Sequence, residues 1–197
     1  CQHLPPIDLA TPLLQGDVGS GKTVVAVAAM LVAAFNGYQS VLMAPTEVLA
    51  EQHFISISYL LNATRSEKDG SVVQFNTGRH PNLFKMGLLV GSLNKKTKEN
   101  IQMGIGKGEF DLLVGTQALI QDQVKIPKLA LAVIDEQHRF GVMQRSSFRG
   151  NTGRPHILAM SATPIPRSLA LTLYGDLDMS VVDEMPRGRL PVHTKRV

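Results

Sequence analysis

Cysteine is nearly absent from this chain. Cys1 is the only one, so no intrachain disulfide can form and a reducing compartment such as the cytoplasm is the natural setting. Long apolar runs are missing too. The longest uncharged stretch, Thr23 to Thr46, is interrupted by Asn36, Gly37, Gln39 and Ser40 before it reaches the roughly 20 apolar residues that a membrane-spanning helix needs. There are no repeats, no low-complexity tract of useful length and no secretory or transit-like opening. No Cys/His spacing suggests zinc, and no Ser-His-Asp arrangement can be argued. Excess charge is small: a net +4 and a pI of about 9.3 permit a polyanionic partner without demonstrating one. What is present, 44% hydrophobic and 18% charged residues in 197, is the makeup of an ordinary globular protein with one sizeable core. The chain opens without Met and ends without a closing pattern, and so reads as an excised piece.

Short apolar runs alternate with helical patterns, the arrangement expected of a parallel sheet covered by crossover helices on both faces. Strands are expected at Pro12 to Gln15, Ser40 to Ala44, Leu88 to Gly91, Asp111 to Gly115, Ala130 to Asp135 and His156 to Met160. Helices are expected at Lys22 to Asn36, Glu47 to Leu61, Lys95 to Gly106, Met143 to Phe148 and Pro166 to Tyr174. Asn62 to Pro81 is polar, carries Gly70 and Gly78 and lacks a clear period, which reads as an irregular surface loop. From Asp183 the chain turns proline-rich and basic, so residues 1–183 read as the domain and 184–197 as a connector.

Three strings carry chemistry. In the first, Gly16, Asp17, Val18, Gly19, Ser20, Gly21, Lys22 and Thr23 meet the pattern G-x-x-x-x-G-K-T between a strand and a helix. Such a loop turns its amide hydrogens inward at a helix N-terminus and forms a nest for phosphate oxygens. Lys22 suits the β- and γ-phosphates, and the Thr23 hydroxyl suits one corner of a magnesium octahedron. The second string places Asp135 and Glu136 directly after an apolar strand, where α/β sheets bind ligands. Asp135 then fits magnesium through water, and Glu136 fits the base that deprotonates the attacking water. The third is MSATPIPR, Met160 to Arg167.

With those residues in place the chain resembles the superfamily 2 helicases and translocases, whose motor pairs two RecA-like domains; this is the first of them. The fold implied is a RecA-like P-loop NTPase, a mostly parallel central sheet between two helix layers. The segments LLQGDVGSGKT, APTEVLAEQH, DEQHRFGVMQR, MSATPIPRSLAL and TLYGDLDMSVVDEMPRGR narrow the match to a bacterial branch of double-stranded-DNA translocases. That branch implies ATP and Mg2+ as fuel, branched DNA such as forks and Holliday junctions as partner, and a monomer. A second motor domain and an N-terminal wedge domain belong to the same polypeptide there.

The resemblance gives Gln137 and His138 a bridge from γ-phosphate to the third motif, with Ser161, Ala162 and Thr163 as that motif. It assigns Thr46 and Glu47, Gly91 and Ser92, and Thr116 and Gln117 to the DNA backbone. Each of these pairs follows a candidate strand, which favours phosphate contact; the alternative for Thr46 and Thr116 is that they cap the helices they precede. The longer Asn62 to Pro81 segment departs from the family pattern. Because the second motor domain brings the transition-state arginine, worth roughly three to five powers of ten in rate, this chain alone is expected to hydrolyse ATP negligibly. Rival readings are the transcription-repair coupling factor, which shares the GDVG, RFGV and TPIPR spellings, and a nucleotide-gated binding domain without productive hydrolysis. DEQH and YGDLD favour the fork-regressing branch, and intact Lys22, Asp135 and Glu136 argue against lost hydrolysis. A small-molecule P-loop kinase would leave MSATPIPR and the DEQH box unexplained.

Overall fold

A computed structural model describes residues 13–17, 19–65, 70–78, 83–120, 124–135, 155–162 and 179–182. Along the chain these form β1 (Leu13–Gly16), α1 (Lys22–Phe35), β2 (Gln39–Met43), α2 (Glu47–Leu60), β3 (Thr64–Arg65), β4 (Val72–Phe75), β5 (Phe84–Leu89) and α3 (Lys95–Gly106). β6 (Leu112–Gly115), a 3-10 turn (Gln117–Ile120), β7 (Leu129–Asp135), β8 (His156–Ser161) and β9 (Met179–Val182) follow. Among the described residues the strands make one nine-stranded sheet in the order β3-β4-β5-β6-β2-β7-β8-β1-β9.

The pairs from β5 through to β9 are parallel, so β1, β2, β5, β6, β7 and β8 all end at the same edge. Parallel strands covered on both faces need apolar side chains on both. β2 meets that demand with Val41, Leu42 and Met43, all fully buried. Leu42 joins the core under α1 and α2, while Val41 and Met43 turn to the core under α3. α1 contributes Ala26, Val27, Met30 and Ala34 to the first core, and α2 contributes Ala50, Phe54 and Ile57. Ile101 and Ile105 of α3 enter the second core. The expected three-layer arrangement is therefore what the chain adopts.

Gln39, only 2% exposed, closes the amino edge of the centre of the sheet. Its Nε2 donates to the Phe110 carbonyl at 2.9 Å and its Oε1 accepts from the Lys128 backbone N–H at 3.2 Å, tying the starts of β6 and β7 to β2.

Asn62 to Pro81 is not an irregular loop. It holds β3 and β4, which extend the sheet antiparallel to β5, with Thr64 opposite Gln74 and Val73 opposite Met86. Val72 and Val73 are both buried, on opposite faces of the sheet, so the segment lacks the alternation that marks a half-exposed strand. The polar residues on either side hid it further. β5 also begins four residues earlier than expected, at Phe84, whose ring stacks on Phe75 with centroids 5.5 Å apart. β9 was not expected; it pairs with β1 and leaves Ser180 and Val181 exposed. The helices expected at Met143 to Phe148 and Pro166 to Tyr174, and the connector 184–197, lie outside the described residues. No described helix is long and apolar enough to cross a membrane.

Candidate nucleotide and DNA site

The first candidate string leaves the buried strand β1 at Gly16 and re-enters regular structure at Lys22. Gly19 (φ 84°) and Gly21 (φ 93°) take left-handed conformations there, which lets the chain fold back within five residues. Gly21 is the N-cap of α1 and brings no side chain to it, and the first turn of the helix holds no acidic residue. Neither the N-cap residue nor the first turn therefore places a side-chain acceptor over its positive end, the arrangement that receives anions. Within the loop Lys22 Nζ donates to the Gly16 carbonyl at 2.6 Å and to the Asp17 carbonyl at 2.7 Å. Among the described residues the buried Ser20 Oγ finds no hydrogen-bond partner, and an added acceptor at the mouth of the loop would satisfy it.

Asp135 closes β7, which is separated from β1 only by β8. The register runs across the sheet from Asp135 to Met160 to Leu14, so the carboxylate and the glycine loop stand at one edge, two strand spacings or roughly 10 Å apart laterally. Ser161, buried at the end of β8, lies between them, and Ala162 follows it. Val18, Glu136, Gln137, His138 and Thr163 lie outside the described residues. The oxygen donors Thr23 and Asp135 suit a hard cation such as magnesium, which takes its other ligands from phosphate and water.

The three remaining pairs occupy the neighbouring half of the same edge. Thr46 and Glu47 follow β2, Gly91 and Ser92 follow β5, and Thr116 and Gln117 follow β6; β5, β6 and β2 are adjacent in the sheet. Thr46 is the N-cap of α2, its Oγ accepting from the Leu49 backbone N–H at 3.3 Å. Glu47 is tied across to the loop after β5: its carboxylate accepts from the Ser92 backbone N–H at 3.2 Å. Bonding to the Ser92 hydroxyl and to the Gly91 and Ser92 amides, with Lys98 nearby, holds its pKa below the usual glutamate range. A Cβ on Gly91 would sit 2.4 Å from Glu47 Oε1, so a larger residue there would make the carboxylate shift. Lys98 Nζ bonds the Gly91 carbonyl and braces the loop from its other side. Lys98 thus acts within the fold, while Lys95 is 90% exposed on the side chain and pairs at long range with Glu99.

The contact that reading the chain did not anticipate involves His53, on the second turn of α2. Its Nε2 lies 2.7 Å from Asp135 Oδ2, with the two side chains only 15% and 13% exposed. The two residues are 82 positions apart. Nothing in a lone histidine within AEQH signals that partner.

Residues 8–172 match the DEAD/DEAH box helicase family. The chain is similar to the ATP-dependent DNA helicase RecG of Streptococcus pneumoniae, 51% identical over 183 residues that make up 93% of this chain and 24% of the relative. It is similarly related to RecG of Bacillus subtilis, 46% identical over 95% of this chain and 26% of that one. The chain thus spans about a quarter of the length of these curated relatives. Among solved structures, RecG bound to a three-way DNA junction superposes with a TM-score of 0.70 at 42% identity, over 93% of this chain and 22% of that one. The Hef helicase domain of Pyrococcus furiosus shares the fold, with a TM-score of 0.61 at 17% identity over 87% of this chain and 35% of that one.

Proposed function

Because the chain belongs to the DEAD/DEAH box helicase family, we propose that it is the ATP-binding motor domain of a RecG-like, double-stranded-DNA translocase that regresses forks and migrates branched junctions. The observation that carries this reading is the division of one sheet edge. The loops after β7, β8 and β1 bear the nucleotide candidates, and those after β5, β6 and β2 bear the DNA candidates. A change at one half is therefore felt by its immediate neighbour.

In this reading the amides of residues 16–23 cradle the triphosphate, and Lys22 exchanges its carbonyl partners for phosphate oxygens. Thr23 and Asp135 would hold Mg2+, which when bound would supply positive charge to the triphosphate. Glu136 takes the proton of the attacking water, and Gln137 and His138 link that event to Ser161, Ala162 and Thr163. On the DNA side, the Thr46 and Thr116 hydroxyls and the Gln117 amide offer donors to phosphate, and Gly91 and Ser92 bring their loop, held by Glu47, against the same backbone. Glu47 serves DNA by shaping the Gly91–Ser92 loop, because an acceptor-only carboxylate repels phosphate. A second motor domain and a wedge domain complete the machine, which works as a monomer in the cytoplasm.

The test is ATP hydrolysis and fork regression by the full-length protein, with Glu136→Gln and Lys22→Ala as probes. Both variants are expected to lose turnover by at least two orders of magnitude. Wild-type turnover in Glu136→Gln would reduce the domain to a nucleotide-gated binding module.

A further inference from the structure

We propose that His53 is a positioning residue that ties the DNA-gripping edge to the magnesium carboxylate through a single rigid helix. The proposal rests on the motor reading above. α2 begins where β2 ends, at the boundary between the two halves of the sheet edge, because β2 pairs with β6 on one side and β7 on the other. Two side chains of α2 then reach in opposite directions. In the first turn Glu47 binds the Ser92 amide, on the loop after β5. In the second turn His53 binds the Asp135 carboxylate, at the end of β7.

The six-residue step from Glu47 to His53 spans about 9 Å of helix, too short to bend appreciably. The helix is also held firmly: Thr46 caps it, and Ala50, Phe54 and Ile57 are buried beneath it. A displacement of the Gly91–Ser92 loop by DNA must therefore move or be resisted by α2, and His53 transmits that motion to Asp135. A carboxylate only accepts, so His53 presents its Nε2–H to Oδ2 and sets the rotation of the group about its Cβ–Cγ bond. Hydrogen-bond partners of metal-ligating carboxylates orient them, and their removal typically costs ten- to a hundredfold in metal affinity or activity.

The experiment compares wild-type full-length protein with His53→Ala and His53→Gln. The readouts are the Mg2+ midpoint for binding a fluorescent ATP analogue, kcat and KM for ATP with and without forked DNA, and DNA affinity without nucleotide. His53→Ala is expected to raise the Mg2+ midpoint roughly tenfold and to cut the DNA stimulation of kcat by a similar factor. DNA affinity is expected to stay within about twofold. Gln carries an amide donor of comparable reach, so His53→Gln should recover part of both losses, which a purely structural histidine would not show. An unchanged Mg2+ midpoint and unchanged stimulation in a folded His53→Ala protein would overturn the proposal while leaving the motor reading intact. Should His53→Ala fail to fold, wild-type behaviour in His53→Phe or His53→Leu, which fill the space without a donor, overturns it equally. If wild-type protein binds no Mg2+-nucleotide, the motor reading itself fails.

Discussion

Replacing Lys22 by Met tests whether one ammonium serves two masters. The substitution keeps most of the stem length and removes the charge. Nζ makes two charge-assisted bonds inside the loop, to Gly16 O at 2.6 Å in a partly buried setting and to Asp17 O at 2.7 Å in an exposed one. A hydrogen bond to a charged group contributes about 1.5 to 3 kcal/mol when shielded, and an exposed one only a few tenths. Against this stands the loss of much of the roughly 2 kcal/mol of lysine rotamer entropy. The net contribution is therefore about 1 kcal/mol of domain stability, independent of any ligand.

With a urea slope of about 2 kcal/mol per molar, Lys22→Met should lower the unfolding midpoint of this chain by about 0.5 M. Adding MgATP at a hundred times its dissociation constant should stabilise the wild type by about 2.7 kcal/mol and the variant hardly at all. Equal midpoints without nucleotide would refute the internal strut. An undiminished gain with MgATP would refute the phosphate role, and each result can occur without the other.

Two further substitutions probe the frame of the site. A Cβ on Gly115 would lie 2.2 Å from the Leu89 carbonyl oxygen and 3.1 Å from Leu119, so Gly115→Ala must push β5 and β6 apart. About 3 kcal/mol of lost stability is expected in urea unfolding, and a loss under about 0.5 kcal/mol would show that the sheet yields there. Asp111 is held above the ordinary aspartate range chiefly by burial, against the opposing bond from the Lys85 backbone N–H at 2.8 Å. A raised folded pKa means that its contribution is fully present below the unfolded value, near pH 4, and is lost as pH rises through the folded one. Asp111→Asn keeps an acceptor for Lys85, so its unfolding midpoint should match the wild type near pH 3 and exceed it at neutral pH; a constant difference between the two would contradict the burial argument.

Much of the nucleotide half was legible because its signals are local. The spacing of Gly16, Gly21, Lys22 and Thr23 predicts a nest at a helix start, and α1 begins at Lys22 with two loop glycines left-handed. Asp135 follows an apolar run, and the end of β7 is where it stands. β4 was missed for a physical reason: a strand buried on both faces loses its alternation, and Ser71 to Phe75 is too short to stand out between polar flanks. The place of Glu47 after β2 is legible along the chain, whereas its partner on a loop 45 residues away is not.

Taken by itself, then, the order of residues determined the glycine loop before α1, the aspartate at the end of β7 and the family, since each depends on neighbours within a few positions along the chain. The folded sheet alone decided that β7, β8 and β1 stand side by side, that β2 lies at the boundary of the two halves, and that His53 meets Asp135. Those facts depend on strand order, and strand order is settled by which apolar faces can be buried together across tens of residues.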